Sequence, residues 1–503
     1  MLVPLTPLDA TWDSLAVTLC WVYELKDGSS AEDTAAHGER LREAGERVVR
    51  GWPWLAGVPQ SLSPGRWAID VPDDLDETSK SRSLVGFSST TRSEPYHVAA
   101  GLSSPLSPLS SSPSGLSSVP DVSLFCPSSV PFPIAEYAKQ QLPLLQLHVT
   151  FFTDAMAVGI TLPHGVVDGA GYGMVARALN AALHGDEWTV PPPFETNPLG
   201  EALEDLAEDK TVQTTEKGAL PPLEGWATPS FGAALRLFSS VAVELFWWKA
   251  ETRSIFLRQA VVDRLVEKVK EEVKRETGGN EFVSTGDIIA AWFLKANESS
   301  SSGSVAASAV YNIRSLLSTH TSTPSASSPS SNFSVYPHNA VAPYDLFSPL
   351  PFSTLSTTSL ASLSLALRRN FALQHTLPTL QAYYHKLKAN SGTDKSLFIP
   401  HRNWPTFFSS PWPRTPTHRW MFTNQASLGV ADLAVPGKDG KNLPLLSYHL
   451  QNRSPLALDH GVEIQRIEGV GITVGSMMRR SRWKGVERAV KQLEEDFQAA
   501  AVA

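Results

Sequence analysis

The chain has 503 residues, which exceeds the usual size of one compact core, so we expect two large domains. Hydrophobic residues make up 42% and charged residues 18%, a globular composition that excludes global disorder. The formal net charge of -8 argues against a general nucleic-acid binder, because neutralising phosphates requires clustered Lys and Arg. Two cysteines, Cys20 and Cys126, provide neither a disulfide framework nor a CxxC zinc site, which favours a reducing compartment.

The sequence contains no segment typical of export or membrane insertion. Asp9 and Asp13 interrupt the apolar residues at the N-terminus, and no basic region precedes them, so we expect no signal peptide. The most hydrophobic later stretch, 231–250, carries charged residues and does not have the pattern of a membrane span. These features predict a cytoplasmic protein.

The first part of the chain alternates helical and strand patterns, which indicates an α/β fold. Apolar residues at helical spacing predict a helix over 33–50. Residues 78–130 are rich in Ser and Pro, and we interpret them mainly as a long surface insertion. The apolar runs 144–152 and 156–162 are separated by a short polar turn and predict paired strands, followed by a helix after Gly169.

The second part of the chain follows a proline-rich, acidic segment that suits a crossover between domains. We therefore divide the chain into an N-terminal domain over 1–190, a linker over 191–225 and a C-terminal domain over 226–503. In the last of these, a helix with apolar residues every fourth position ends at Gly278 and Gly279. Further helices are expected after Ser284, where Asp287 completes a capping box, and over 479–497.

One segment at a predicted strand-to-helix junction carries chemistry. His164-Gly165-Val166-Val167-Asp168-Gly169 has the pattern H-x-x-x-D-G. A neutral imidazole held on a loop can accept a proton from a hydroxyl or amine, which makes His164 a candidate general base. Asp168 either orients the imidazole or anchors the loop, and the spacing leaves both roles open. A His and an Asp at this spacing also occur by chance, but the Pro-His-Gly strand end and the Asp-Gly helix start make the context more specific.

These residues resemble the BAHD acyltransferases, the family of plant hydroxycinnamoyl transferases and fungal trichothecene acetyltransferases. His164 to Gly169 match the family's H-x-x-x-D-G motif, Pro4 to Asp9 are similar to its opening Leu-x-x-Leu-Asp strand, and Trp54 to Gly57 resemble its Pro-x-Leu-Ala-Gly turn. The resemblance implies that Arg314, at an Asn-x-Arg strand end, forms a salt bridge with Asp168 and makes that aspartate structural. It also implies that Ser284, Thr285, Asp287 and Arg314 border the binding site of coenzyme A.

The sequence departs from the family at the second signature, Asp-Phe-Gly-Trp-Gly, which is absent. The nearest match begins at Thr423-Asn424-Gln425, where Gln425 replaces an expected Trp, and residues 401–404 offer a competing alignment. The resemblance makes Thr423 or Asn424 the candidate donor to the oxyanion of a tetrahedral intermediate.

The resemblance implies two chloramphenicol-acetyltransferase-like α/β domains, with mixed sheets, flanking helices and an active-site channel between them. It implies transfer of an acyl group from acyl-CoA, as co-substrate, to a small alcohol or amine, without a metal or a tightly bound cofactor, by a monomer. Two alternatives stay open. One is a condensation- or carnitine-type acyltransferase, which lacks support because no His directly precedes His164. The other is a non-catalytic binding relative, which Gln425 favours.

Overall fold

The computed structural model describes most of the chain. The described residues are 1–25, 31–63, 65–102, 114–191, 197–209, 212, 249–297, 304–320, 333–390, 417–424, 435–437, 440–442, 446–452, 461–467 and 470–502. Strands and helices alternate along them, so the predicted mixed α/β class is confirmed.

The strands run in chain order through both halves of the molecule. They are β1 (Leu2–Pro4), β2 (Ala16–Glu24), β3 (Val58–Ser63), β4 (Arg66–Asp70), β5 (Gly86–Thr91), β6 (Gly115–Ser118), β7 (Gln146–Phe151), β8 (Ala155–Pro163), β9 (Ala250–Arg258), β10 (Ser304–Asn312), β11 (Val341–Pro351), β12 (Thr417–Asn424), β13 (Val435–Gly437), β14 (Gly440–Asn442), β15 (Leu446–Asn452), β16 (Gly461–Ile467) and β17 (Gly471–Arg479).

Helices separate most of these strands. They are α1 (Pro7–Ala10), α2 (Ala31–Gly51), α3 (Leu75–Ser81), α4 (Tyr96–Ala99), α5 (Ile134–Gln140), α6 (Gly169–His184), α7 (Pro198–Glu208), α8 (Gln259–Thr277), α9 (Thr285–Ala296), α10 (Arg314–His320), α11 (Phe352–Thr357), α12 (Leu360–Gln374), α13 (Leu377–Asn390) and α14 (Arg480–Val502).

Local sequence signals located several helices to within a few residues. Helix α8 ends where Gly278 adopts the left-handed conformation, with φ of 66°, which a glycine reaches without the usual steric cost. Helix α9 begins with the predicted capping box, because the Ser284 hydroxyl accepts from the Asp287 backbone and the Asp287 carboxylate accepts from the Ser284 backbone. The helices expected over 33–50 and 479–497 are also confirmed as α2 and α14.

A five-stranded sheet in the order β15-β2-β8-β7-β5 forms the first half of the molecule. The predicted strand pair is confirmed, since β7 and β8 run antiparallel and every residue of both is buried. Strands that are buried along their whole length require cover on both faces. Helices α2 and α6 contribute to the core on one face, and a smaller cluster around Tyr96 and Phe125 covers the other.

A seven-stranded mixed sheet in the order β11-β10-β12-β16-β17-β9-β6 forms the second half. Apolar side chains of α7, α8, α9, α12 and α14 form one continuous core with this sheet. Helix α7 lies within the segment predicted as a linker, and its buried Leu199, Leu203 and Leu206 belong to that core.

Each large sheet takes one strand from the other part of the chain. Strand β15 pairs with β2 in antiparallel register from Leu446 opposite Val22 to Asn452 opposite Ala16. Strand β6, from the N-terminal part, closes the edge of the seven-stranded sheet by pairing with β9. These exchanges tie the two halves together through backbone hydrogen bonds.

The prediction that 78–130 is mainly a surface insertion is wrong. Strand β5 lies at the edge of the first sheet and β6 at the edge of the second, and Tyr96, Leu124 and Phe125 are buried. A few large apolar residues, widely spaced, are enough to attach this segment to a sheet face that already exists. Residues 103–113, in its middle, lie outside the described part of the chain.

No helix within the described ranges combines the length and the apolar character that a membrane span requires. The hydrophobic stretch 231–250 falls almost entirely outside those ranges.

The contact between Phe125 and β8 provides a test of this packing. A Cβ at Gly159 would lie 1.8 Å from the Phe125 carbonyl oxygen, so Gly159→Ala must displace backbone. We expect a loss of about 3 kcal/mol in the free energy of unfolding, the upper end of overpacking effects. Gly475→Ala, in β17, is the control, because a Cβ there meets nothing within 4 Å. Thermal unfolding of both variants measures the difference, and equal midpoints would contradict the described contact.

Candidate active site

The H-x-x-x-D-G segment forms the turn between β8 and α6. Strand β8 ends at Pro163 and α6 begins at Gly169, so the predicted strand–turn–helix is confirmed. The turn lies where the N-terminal part of the chain meets residues 336–340 of the C-terminal part.

Backbone contacts define the state of the His164 ring. Its Nδ1 lies 3.0 Å from the Val167 carbonyl oxygen. A carbonyl only accepts, so Nδ1 carries the hydrogen and Nε2 keeps the lone pair that a base needs. Desolvation lowers the pKa of His164 from its usual 6.5, which keeps the imidazole neutral at pH 7. The His164 backbone N–H donates to the Leu15 carbonyl at 2.8 Å.

Asp168 anchors the turn. It is the N-cap of α6, and its Oδ1 accepts from the backbone N–H groups of Ala170 at 3.0 Å and Gly171 at 3.1 Å. Its Oδ2 accepts from the Ala340 backbone at 2.9 Å, and the side chain is 1% exposed. Of the two roles that the spacing left open, this geometry supports the anchoring one.

The salt bridge implied by the family resemblance is present. Arg314 makes a bidentate contact with Asp168, through Nη1 to Oδ2 at 2.8 Å and Nη2 to Oδ1 at 2.9 Å. The guanidinium also donates to the carbonyl oxygens of Tyr336 at 2.9 Å and His338 at 2.7 Å. Both charged side chains are buried, so these additional hydrogen bonds offset the cost of removing them from water.

Two residues that sequence reasoning did not assign hold the rest of the turn. His338 Nδ1 donates to the Val166 carbonyl at 3.0 Å, and Asn339 Nδ2 donates to the His164 carbonyl at 2.8 Å. The Asn339 backbone and amide also donate to Asp9 Oδ1 at 3.0 and 2.9 Å. Desolvation raises the pKa of the buried Asp9 to about 7 against the lowering effect of these bonds. The signal in the sequence that could have found them is the His338-Asn339 pair, which follows Arg314 along the chain.

Two glycines permit this close assembly. A Cβ at Gly165 would approach the Asp13 Cα to 2.7 Å, and one at Gly171 would approach the Pro337 carbonyl oxygen to 2.1 Å. Gly171 therefore serves packing, since the Pro337 backbone crosses directly over the first turn of α6.

A cavity of about 610 Å³ borders the anchoring salt bridge. Helix α6, the N-terminus of α9, strands β10 and β11, and helix α12 form its walls. Polar side chains from several of these elements line it: Ser284, Asp287, Asn312, Arg314, Ser315, Ser318 and Ser334. Thus the predicted residues Ser284, Asp287 and Arg314 lie on one cavity, although Ser284 and Asp287 also cap α9.

Aromatic rings and two arginines form another part of the cavity wall. Tyr311, Phe371 and His375 contact one another, with Phe371 and His375 stacked at 4.8 Å between ring centroids. Arg177 and Arg368 add positive charge, and the Arg368 guanidinium lies 5.1 Å from the centre of the Phe371 ring. Cations beside flat rings suit a ligand that combines an anion with an aromatic group.

The candidate oxyanion donors lie at the end of one strand. Thr423 and Asn424 end strand β12, but their side chains lie outside the described part of the structure, as do Gln425 and 401–404. Thr285 is the first residue of α9 and lies beside the cavity residues Ser284 and Gly286.

The register partner of Thr423 in β16 is Glu463, a residue that sequence reasoning overlooked. Its side chain is partly buried, and desolvation raises the pKa of its carboxyl to about 8.

Comparison with known proteins places the motif inside a recognised family region. The sequence profile described as "Transferase family" matches residues 123–222, which include β7, β8, His164 and α6. Acetyltransferase BOT5 of Botryotinia fuckeliana is 29% identical over 282 residues, which is 53% of this chain and 48% of BOT5. O-acyltransferase pboC of Aspergillus ustus is 31% identical over 163 residues, which is 32% of each chain. The chain thus spans about half or less of the curated relatives it matches.

The fold extends over nearly the whole chain. The crystal structure of F. sporotrichioides TRI101, complexed with coenzyme A and T-2, matches with a TM-score of 0.62 and 14% identity over 96% of both chains. The chain therefore shares the overall fold of that structure, which agrees with the expected mixed sheets and flanking helices.

The contribution of the salt bridge to stability can be tested with Asp168→Asn. The change removes one charge and leaves Arg314 buried without its partner, so we expect the free energy of unfolding to fall by about 3–5 kcal/mol. The double change with Arg314→Met should recover part of that loss, but not all, because the bonds to Tyr336 and His338 are also removed. Denaturant unfolding of the two variants measures this. An Asp168→Asn protein as stable as wild type, yet inactive, would instead assign Asp168 to orienting His164.

Proposed function

We propose that the chain is a BAHD-type CoA-dependent acyltransferase that transfers an acyl group from acyl-CoA to a small alcohol or amine. The observation that carries the proposal is the His164 imidazole, held neutral with its Nε2 lone pair unused by the Val167 contact. Curated relatives of this chain are named acetyltransferases and O-acyltransferases, which supports the same chemistry.

In the proposed reaction, Nε2 of His164 takes the proton of the acceptor hydroxyl or amine as that atom attacks the thioester carbonyl. The carbonyl becomes a tetrahedral oxyanion, for which Thr423 or Asn424 is the proposed donor. The carbon–sulfur bond then breaks, and the CoA thiolate receives the proton from the His164 imidazolium. The acyl group ends on the acceptor, and His164 returns to its neutral form.

We propose that coenzyme A occupies the 610 Å³ cavity beside the Asp168–Arg314 pair. Its phosphates require local cations because the chain as a whole is acidic, and Arg177 and Arg368 supply them. Tyr311, Phe371 and His375 offer flat surfaces for the adenine ring. The structure of TRI101 is a complex with coenzyme A, so the fold accommodates this co-substrate in that protein.

The acceptor and the cellular setting are proposals of the same kind. We propose a small-molecule acceptor, a monomeric enzyme and a cytoplasmic location. We expect the residues that line the acceptor site to decide which acceptor is used, because function depends on the site and not on the architecture.

His164→Ala tests the base. Because general-base catalysis contributes about 10²- to 10⁴-fold, we expect thiol release from acetyl-CoA to fall by at least 10²-fold while thermal unfolding is unchanged. The assay follows free thiol with T-2 and a panel of small alcohols and amines as acceptors. His385→Ala is the matched control, since His385 is exposed on α13. A loss of less than about tenfold would count against His164 as the base.

Arg368→Ala tests the cavity. If Arg368 contacts a CoA phosphate, losing that charge-assisted hydrogen bond should raise the KM for acetyl-CoA about tenfold, with little change in kcat. Arg369→Ala is the control on the same helix, because Arg369 is exposed and pairs with Glu281 at the surface. Equal KM values for the two variants would exclude Arg368 from the CoA site.

A further inference from the structure

The indole of Trp12 stacks on the imidazole of His164. The ring centroids are 4.9 Å apart and the ring planes differ by 9°, an offset parallel arrangement. Trp12 is partly buried and lies in the turn between α1 and β2. It is separated from His164 by most of the N-terminal domain in sequence, and none of the motifs discussed above includes it.

Backbone hydrogen bonds hold the segment of Trp12 next to the segment of His164. The His164 N–H donates to the Leu15 carbonyl at 2.8 Å, and the Leu15 N–H donates to the Trp12 carbonyl at 3.1 Å. The same turn passes so close to Gly165 that a Cβ there would lie 2.7 Å from the Asp13 Cα. The chain path therefore places the Trp12 and His164 side chains next to each other.

Two contacts together set the orientation of the imidazole. The Val167 carbonyl holds the Nδ1 edge, and the Trp12 indole covers one face of the ring. A rotation about the Cβ–Cγ bond would break the first contact and tilt the ring out of the second. The Nε2 atom therefore has one fixed direction, which a base that acts on a bound substrate requires.

The indole also affects the relative stability of the neutral and protonated forms of the His164 imidazole. Desolvation disfavours the imidazolium form of His164, whereas the negative face of an indole stabilises a cation stacked on it. Among the nearby carboxylates, the charge of Asp168 favours the imidazolium although Asp168 is bound to Arg314. Desolvation raises the pKa values of Asp9 and Asp13 towards their neutral forms. The Val167 carbonyl and the Trp12 indole both contact the ring directly, and both favour the imidazolium.

We propose that Trp12 is a positioning residue for the base: its indole holds the His164 imidazole in the orientation set by Val167 and stabilises the imidazolium formed during proton transfer. This inference rests on the proposed function. In the step concerned, the proton passes from the acceptor to Nε2 of His164 and then to the leaving thiolate, and Trp12 forms no covalent bond.

The experiment compares Trp12→Leu and Trp12→Phe with Trp188→Leu, which removes a partly buried indole beside Gly51. One measurement is kcat and KM for acetyl-CoA across pH. The other is the pH dependence of His164 modification by diethylpyrocarbonate, followed by mass spectrometry of the His164 peptide. The second measurement requires no turnover, and its midpoint reports the pKa of the imidazole separately from its accessibility.

For Trp12→Leu we expect the His164 midpoint to fall by about one pH unit, because the imidazolium loses its stacked aromatic face. We also expect kcat to fall about tenfold while the KM for acetyl-CoA stays within about twofold. Trp12→Phe keeps an aromatic face and should show smaller changes in the same directions, while Trp188→Leu should match wild type. These results would support the inference.

An unchanged midpoint of His164 modification and an unchanged kcat in Trp12→Leu would overturn the inference that Trp12 positions the base. If that variant does not fold, Trp12→Phe decides in the same way, since it also must shift both values. A wild-type protein that releases no thiol with any acceptor would refute the proposed function. The modification midpoints would still show whether Trp12 stabilises the imidazolium.

Discussion

The buried salt bridge between Asp168 and Arg314 is the interaction on which the site depends. Two ionised side chains, 1% and 4% exposed, are stable only where their remaining hydrogen-bonding groups are also satisfied. Asp168 meets this condition with three backbone N–H donors, and Arg314 meets it with two backbone carbonyls. Because those partners come from α6 and from 336–340, the pair determines how the two parts of the chain meet.

The placement of His164 follows from that constraint. Once Asp168 caps α6 and 336–340 is bound to Arg314, Asn339 and His338 come within reach of the His164 and Val166 carbonyls. The turn between β8 and α6 then has hydrogen bonds on both sides. The imidazole itself is held separately, by the Val167 carbonyl and the Trp12 ring, so the charged anchor and the proton-accepting group have distinct supports.

The cavity shows how one cluster of residues combines structural and binding roles. Arg314 belongs to the anchor and also lines the cavity, while Ser284 and Asp287 both cap α9 and face the same space. A ligand in this cavity would therefore contact elements whose positions the fold already determines, so little ordering would be needed on binding. Arg368, stacked between Phe282 and Phe371, is similarly held in place before any ligand arrives.

The sequence by itself determined the elements that depend on neighbours along the chain. The strand pair before His164, the helix stopped by Gly278 and the capping box at Ser284 follow from apolar spacing and from residues a few positions apart. Only the tertiary structure decided that Tyr96 and Phe125 are buried, that β15 and β6 exchange between sheets, and that Trp12 covers His164. Each of these depends on segments far apart in sequence packing on surfaces that exist only after folding, and so no local pattern records them.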